Sequence, residues 1–287
     1  DRILTYNTRS FTYNANGDLS QIQWTLTTAS SYVYDAIGSL KQVTLTGGDV
    51  LAYKYDGMNR RIRKLENGTF KSQYVYENGE KIAAHVNNSG VIQKEYVYGV
   101  DHVNSPDYLI VGSTRYRIIK DHLGSPRLVV DAATGSVSQR MDYNELGEVI
   151  TNTNQGFQHY GFAGGIYDGQ SKLVKFGARD YDGRFGRWLA KDPIRFDGGD
   201  TNLYGYVLQD PINFVDPDGL QAAIPIPRPI PMPIVIPGNI AMGANPAMCQ
   251  IIYDIDLQQC WNTEQRRPDN KICPSNGSKP EHSNDLK

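Results

Sequence analysis

A chain of 287 residues that is 39% apolar and 21% charged has enough apolar surface for a core, which excludes a wholly disordered polymer. Tyr occurs 19 times against 8 Phe and 3 Trp, with 28 Gly, a balance that favours many short strands joined by glycine turns and argues against a helical bundle. Twenty-nine Lys and Arg against 31 Asp and Glu give a net charge of -2, so no basic footprint for nucleic acid or anionic lipid is present.

The first residues, DRILTYNTRS, contain no Met and no charged start before an apolar run, so no signal peptide is read and the chain is expected to be a piece of something longer. From Phe11 the sequence repeats. Phe11-x-Tyr13, Tyr32-x-Tyr34, Tyr53-x-Tyr55 and Tyr74-x-Tyr76 are each displaced by 21 residues, and Tyr96-x-Tyr98 follows one residue late. Turn formers come next: Asn14 and Gly17, Asp35 and Gly38, Asp56 and Asn59, Glu77 and Gly79. Each of the first three units then resumes with an apolar residue, Leu19, Leu40 or Ile62. In a strand, residues two apart share a face, so the paired aromatics predict one aromatic face, with Thr12, Val33, Lys54 and Val75 on the other. No single hairpin shields such a face, so successive units must stack into a quasi-one-dimensional sheet. A container, a carbohydrate-binding surface and an inert scaffold all fit the repeat.

The pattern aromatic-x-Tyr-Asp/Asn-x-x-Gly-x-Leu/Ile resembles the YD repeat of the Rhs and teneurin families. That resemblance implies an all-β, spiralling shell of which residues 1–115 are a fragment.

From Tyr116 two alternating apolar stretches flank Asp121-His122-Leu123-Gly124-Ser125-Pro126-Arg127. His, Asp and Ser this close in sequence point apart on a tight turn, so a structural turn is expected there rather than a catalytic triad. The segment resembles the DHLGS element of Rhs proteins.

Between Leu173 and Leu220 lie three Asp-Pro steps: Asp192-Pro193, Asp210-Pro211 and Asp216-Pro217. Asp216-Pro217-Asp218-Gly219 suits a type I turn. The functional alternative is a pair of carboxylates too close for both to ionise: one activates water while the protonated one serves the carbonyl and then the leaving amine. A neighbouring arginine would hold one of them. The elements GARDYD, GRWLAKDPI, GGDTNLYGYV and DPDGL resemble the Rhs-associated core domain, and the likeness covers about residues 5–220. It implies a small mixed core or plug domain over residues 116–220 and a single-turnover aspartyl self-cleavage after the Leu of DPxGL, here Leu220-Gln221. The family's essential residues fall on Arg179, Asp192 and Asp216. Asp210, preceded by Gln209 where Asn is usual, is an alternative partner, and Arg187 a second cation. No cofactor and no metal are expected.

Residues 221–287 hold 10 of the 15 prolines, beginning IPIPRPIPMPIVIP, which predicts an irregular, polyproline-like tail and forbids a membrane helix over 222–237. Cys249, Cys260 and Cys273 match no zinc spacing, and Met248–Trp261 is read as a short helix. The resemblance makes the tail a variable cargo of obscure chemistry. It implies a secreted or delivered bacterial effector whose partners are its own shell and cargo, a secretion component and a cognate immunity protein. The rival class is a non-enzymatic carbohydrate-binding or adhesion protein of the cell surface.

Overall fold

The computed structural model describes residues 1–99 and 105–221; the expectations for the tail, its cysteines and its short helix lie outside these. Among the described residues, fifteen strands from Thr5–Tyr6 to Val149–Asn152 form one antiparallel sheet in chain order. The expected all-β shell fragment is therefore a continuous meander. The boundary expected between residues 115 and 116 falls inside the strand Thr114–Lys120, which pairs on both sides without interruption.

The sheet's regularity begins in its turns. Asp35 Oδ1 accepts the N–H groups of Ile37 and Ser39, and Asp56 Oδ1 those of Met58 and Arg60. Asn87, Asp121 and Asn144 repeat the same pair of bonds two and four residues on. One carboxyl or amide oxygen thus replaces two main-chain acceptors and fixes the reversal. Asn59, at φ 63°, occupies the left-handed position that Gly38 fills one repeat earlier, a conformation Asn tolerates. The fourth turn departs from the pattern, because Glu77 stays in the strand Thr69–Asn78 and the hairpin closes at Gly79–Glu80 with Asn78 opposite Lys81. The Asp121 turn is structural, as expected: His122 Nε2 lies 2.7 Å from the Ile212 carbonyl and Ser125 Oγ accepts the Ala163 N–H, so its polar groups point to different partners.

The first aromatic of each pair faces inward. Phe11, Tyr32, Tyr53, Tyr74 and Tyr96 are all buried, whereas Val33 and Val75 on the opposite face are each 47% exposed. In the last three units the second tyrosine has a different task. Tyr55, Tyr76 and Tyr98 donate their hydroxyls to the carbonyls of Leu40, Arg61 and Ile82, one repeat upstream, at 2.7 to 2.9 Å. Each ring thereby ties its turn to the preceding one.

Residues 157–221 cover the aromatic face. They form a four-stranded antiparallel sheet, Ile166–Asp168, Leu173–Phe176, Arg179–Asp182 and Arg187–Trp188, followed by short 3-10 turns. Leu173 and Leu189 join Phe11, Tyr32 and Tyr53 in one core, and Leu19 N–H bonds the Leu189 carbonyl at 2.8 Å. Polar anchors cross the same boundary. Arg61 and Asp180, both 3% exposed, pair at 2.7 Å with the guanidinium 3.8 Å from the Tyr53 ring centre. Asp168 takes Lys64 at 2.7 Å and the Tyr53 hydroxyl at 2.8 Å.

Removing one partner of a buried pair leaves an uncompensated charge, so Asp180→Ala, which strands Arg61 and the buried Lys175, should lower unfolding free energy by about 3–5 kcal/mol. Lys71→Ala, which removes the exposed partner of Glu66, should leave the urea midpoint at pH 7 nearly unchanged.

Candidate active site around Arg179

Arg179 begins the third strand of the small sheet, directly after the tight reversal at Gly177–Ala178. That reversal has a reason to contain glycine. A Cβ on Gly177 would sit 2.1 Å from the Asp218 carbonyl oxygen, and one on Gly219 2.5 Å from the Phe176 oxygen. The main chain of DPDGL therefore lies flush against the hairpin, and Ala178 N–H bonds the Asp218 carbonyl at 2.8 Å. Beneath it an aromatic cluster of Phe176, Tyr181, Trp188 and Tyr206 supplies the floor, with the Arg179 guanidinium 4.2 Å from the Trp188 ring centre. A planar cation stacked on an indole keeps its edge free for hydrogen bonds.

All three guanidinium nitrogens are engaged. Arg179 Nη1 meets Asp192 Oδ2 at 3.0 Å, Nη2 meets Asp216 Oδ2 at 3.0 Å, and Nε donates to the Gly219 carbonyl at 2.5 Å. Asp192 is held by a turn of its own: its N–H bonds the Leu203 carbonyl, and its Oδ1 accepts the Ile194 N–H across Pro193. Asp216 Oδ1 accepts the N–H groups of both Leu220 and Gln221, at 3.0 and 3.1 Å. Asp218 Oδ1 also accepts the Leu220 N–H, at 3.1 Å. Side-chain oxygens thus organise the expected 216–219 turn.

Three expected residues, Arg179, Asp192 and Asp216, are brought together with the Leu220–Gln221 peptide. The two alternatives are not. Asp210 binds the Asn213 side-chain amide with both oxygens at 2.9 Å, because the Pro211 turn folds it back on its own loop. Arg187 reaches the Asp1 carbonyl and lies over the Tyr204 ring at 5.5 Å, on the far side of its strand. The pair also differs from a dyad sharing a proton: the guanidinium stands between Asp192 and Asp216, one nitrogen to each. Sequence reasoning missed two contributors. Asp218 crowds Asp216 with a second carboxyl, and Gly198 clears space, since a Cβ there would lie 2.9 Å from Leu220 O and 3.0 Å from Asp192 Oδ2. The paired glycines of Phe196-Asp197-Gly198-Gly199 were the available signal.

Burial dominates the electrostatics. It pushes Asp216 up to about 6, against the pull of Arg179 and with help from Asp218. Burial raises Asp192 as well, again opposed by Arg179, and lowers Arg179 itself against the attraction of both carboxylates. Next to the three side chains and Leu220 is a cavity of ≈ 20 Å³, room for one water.

Because the Asp216 carboxyl is raised in the folded chain, the native state holds more protons than the unfolded one between about pH 4 and 6. Its contribution therefore favours folding as pH falls through that window. From pH 7 to pH 5 the wild-type chain should gain on the order of 1 kcal/mol relative to Asp216→Asn, compared by urea denaturation at both pH values.

The chain has relatives in animals and bacteria. A family model described as Teneurin YD-shell matches residues 1–212. Teneurin-4 of Homo sapiens is 30% identical over 146 residues, 47% of this chain and 5% of teneurin-4. YlbH of Escherichia coli K12 is 37% identical over 93 residues, 32% of this chain and 39% of YlbH. The crystal structure of TcdB2-TccC3-Cdc42 superposes with a TM-score of 0.52 at 20% identity, covering 74% of this chain and 13% of that one. TcdB2-TccC3 without its hypervariable C-terminal region gives 0.50 at 19%, with the same coverage. These last two likenesses are of fold, and the chain spans a small part of each relative. With its rows of inward aromatics, its meandering sheet and a match over residues 1–212, the chain belongs to the teneurin YD-shell family, the YD-repeat shells of Rhs type.

Proposed function

We propose that this chain is the C-terminal part of an Rhs-type toxin shell whose plug, residues 157–220, cuts the Leu220–Gln221 bond once and so frees residues 221–287 from the shell that encloses them. One observation carries the reading: a single carboxyl oxygen, Asp216 Oδ1, receives the N–H groups on both sides of Leu220, including the nitrogen that would become the leaving amine.

The chemistry follows from the position of each group. Asp192, ionised against Arg179, takes a proton from a water in the small cavity beside Leu220, and the water oxygen adds to the Leu220 carbonyl carbon. Arg179 holds the charge of Asp192 and fixes the Gly219 carbonyl, so the peptide cannot slide past the carboxylates. As the carbon becomes tetrahedral, the Gln221 nitrogen regains its lone pair. Asp216, raised to about 6 and partly protonated near neutrality, delivers a proton to it. The C–N bond breaks, the new Leu220 carboxyl passes its proton to the now ionised Asp216, and a carboxylate on Leu220 and an amine on Gln221 remain. Tethering replaces a bimolecular encounter by a positioned one, worth up to about 7–11 kcal/mol of barrier.

The plug covers the aromatic face of the sheet, which suits a shell closed at one end, and TcdB2-TccC3 has a hypervariable C-terminal region. Release outside the producing cell, into a target cell, and pairing with an immunity protein belong to the same proposal. Among the described residues no helix is long and apolar enough to cross a membrane.

The purified 287-residue chain should resolve on a denaturing gel into two pieces, and mass spectrometry should find the smaller one beginning at Gln221. Asp192→Asn and Asp216→Asn should slow cutting by roughly 10²–10⁴-fold or more. Gly198→Ala, whose methyl would crowd both Leu220 O and Asp192 Oδ2, should also leave one band. Continued cutting by both Asn variants would refute the assignment, and an uncut wild-type chain that retains a glycan would favour the adhesion class.

A further inference from the structure

A protonated carboxyl needs an acceptor for its O–H, and the bonds around Asp216 leave few to choose from. Asp216 Oδ2 faces Arg179 Nη2 at 3.0 Å, and Oδ1 faces the N–H groups of Leu220 and Gln221 at 3.0 and 3.1 Å. A guanidinium and two main-chain amides can only donate. Asp192 lies across the guanidinium, bonded to Nη1. The acceptor at hand is the Asp218 carboxyl, whose Oδ1 is 3.1 Å from the same Leu220 nitrogen and whose side chain hydrogen-bonds that of Asp216.

We propose that Asp218 is the proton-sharing partner of Asp216: the exposed carboxylate keeps its charge, accepts the O–H of its buried neighbour, and so holds a proton ready opposite the Gln221 nitrogen. On the cleavage reading given above, on which this role rests, Asp218 is a positioning residue that acts through Asp216. In the cleavage step the proton passes from Asp216 to the Gln221 nitrogen while Asp218 stays ionised. Two adjacent anions then favour return of a proton to Asp216 from the new Leu220 carboxyl.

Burial divides the labour. Two carboxylates in contact resist ionising together, and the proton goes to the one that water serves least. Asp216 is 2% exposed, whereas Asp218 lies at the surface. The main chain keeps them together: Ala178 N–H bonds the Asp218 carbonyl at 2.8 Å, and Gly219, at φ 69°, turns the Leu220 N–H toward both side chains. Other groups act on the pair from each side. Arg179, from the small sheet, draws Asp216 toward ionisation, with Asp192 beyond it. Tyr206, neutral because burial raises its hydroxyl, faces Asp216 from the turn before Val207–Gln209. Glu80, in the Gly79–Glu80 hairpin of the large sheet, is within reach of the Asp218 charge and is answered by Lys175 and Arg60. Arg195 and Asp200 border the small cavity beside Leu220. All of these remain when Asp218 loses its charge, so its substitution isolates one contact.

Intact chain, recovered unfolded in urea and diluted into buffers from about pH 5 to about pH 9, should release the Gln221 fragment at a rate that falls on the alkaline side as Asp216 ionises. Asp218→Asn, whose amide oxygen can still accept the Leu220 N–H, should move that fall to lower pH by roughly half a unit or more, so that cutting is lost at least about threefold more at pH 8 than at pH 5. A role confined to shaping the turn predicts no such movement, and equal losses at both pH values would overturn the assignment. Carboxyl ¹³C titration of the Asp192→Asn chain reads the pair without the reaction: adding Asp218→Asn should lower the Asp216 midpoint. An unmoved midpoint overturns the partnership, while a lowered midpoint together with a wild-type chain that never cuts upholds it and refutes the cleavage reading instead.

Discussion

The constraint on which this molecule rests is a row of aromatic rings that no strand of the sheet can cover by itself. Phe11, Tyr32, Tyr53, Tyr74 and Tyr96 repeat on one face, and a meander of hairpins leaves that face open along its whole length. Residues 157–221 close it, and nearly everything of chemical interest lies along that closure. Arg61 with Asp180 and Lys64 with Asp168 sit between sheet and plug, where exclusion of water sharpens each electrostatic preference. Arg179 stands on the plug's own aromatic floor for the same reason.

Much of the sheet was legible because its periodicities are local. The 21-residue spacing, the alternation of inward and outward residues and the Asx turns each follow from a few neighbouring side chains, and they agree with one another. The exception, the tight hairpin at Gly79–Glu80, arises where Glu77 lacks the short side chain that would bond its own main chain. The continuity of the sheet through residue 115 was not legible. Strand pairing across a change of sequence motif leaves no signature in composition.

At the candidate site the identities of Arg179, Asp192 and Asp216 came from resemblance, and what the sequence physics offered was only their residue types. A sequence does not say that one guanidinium would separate the two carboxyls, or that Asp216 would face two main-chain N–H groups. Asp210 and Arg187 carry equally suitable chemistry and differ only in which way their loop or strand turns them. Gly198 is the clearest omission, since its contribution is the absence of a side chain, visible only once Leu220 O and Asp192 are seen on either side of it.

The strictly sequential order of the fifteen strands has a kinetic consequence. Every pairing in the large sheet joins neighbours along the chain, so its loops close over short separations and the sheet can lengthen hairpin by hairpin from any nucleus. Contacts of high sequence separation, such as Tyr204 to Gly17 or Asp180 to Arg61, belong to the plug. Folding of this chain is therefore expected to divide into a fast growth of sheet and a slower docking step, in which the covering segment is seated only after the aromatic face beneath it exists.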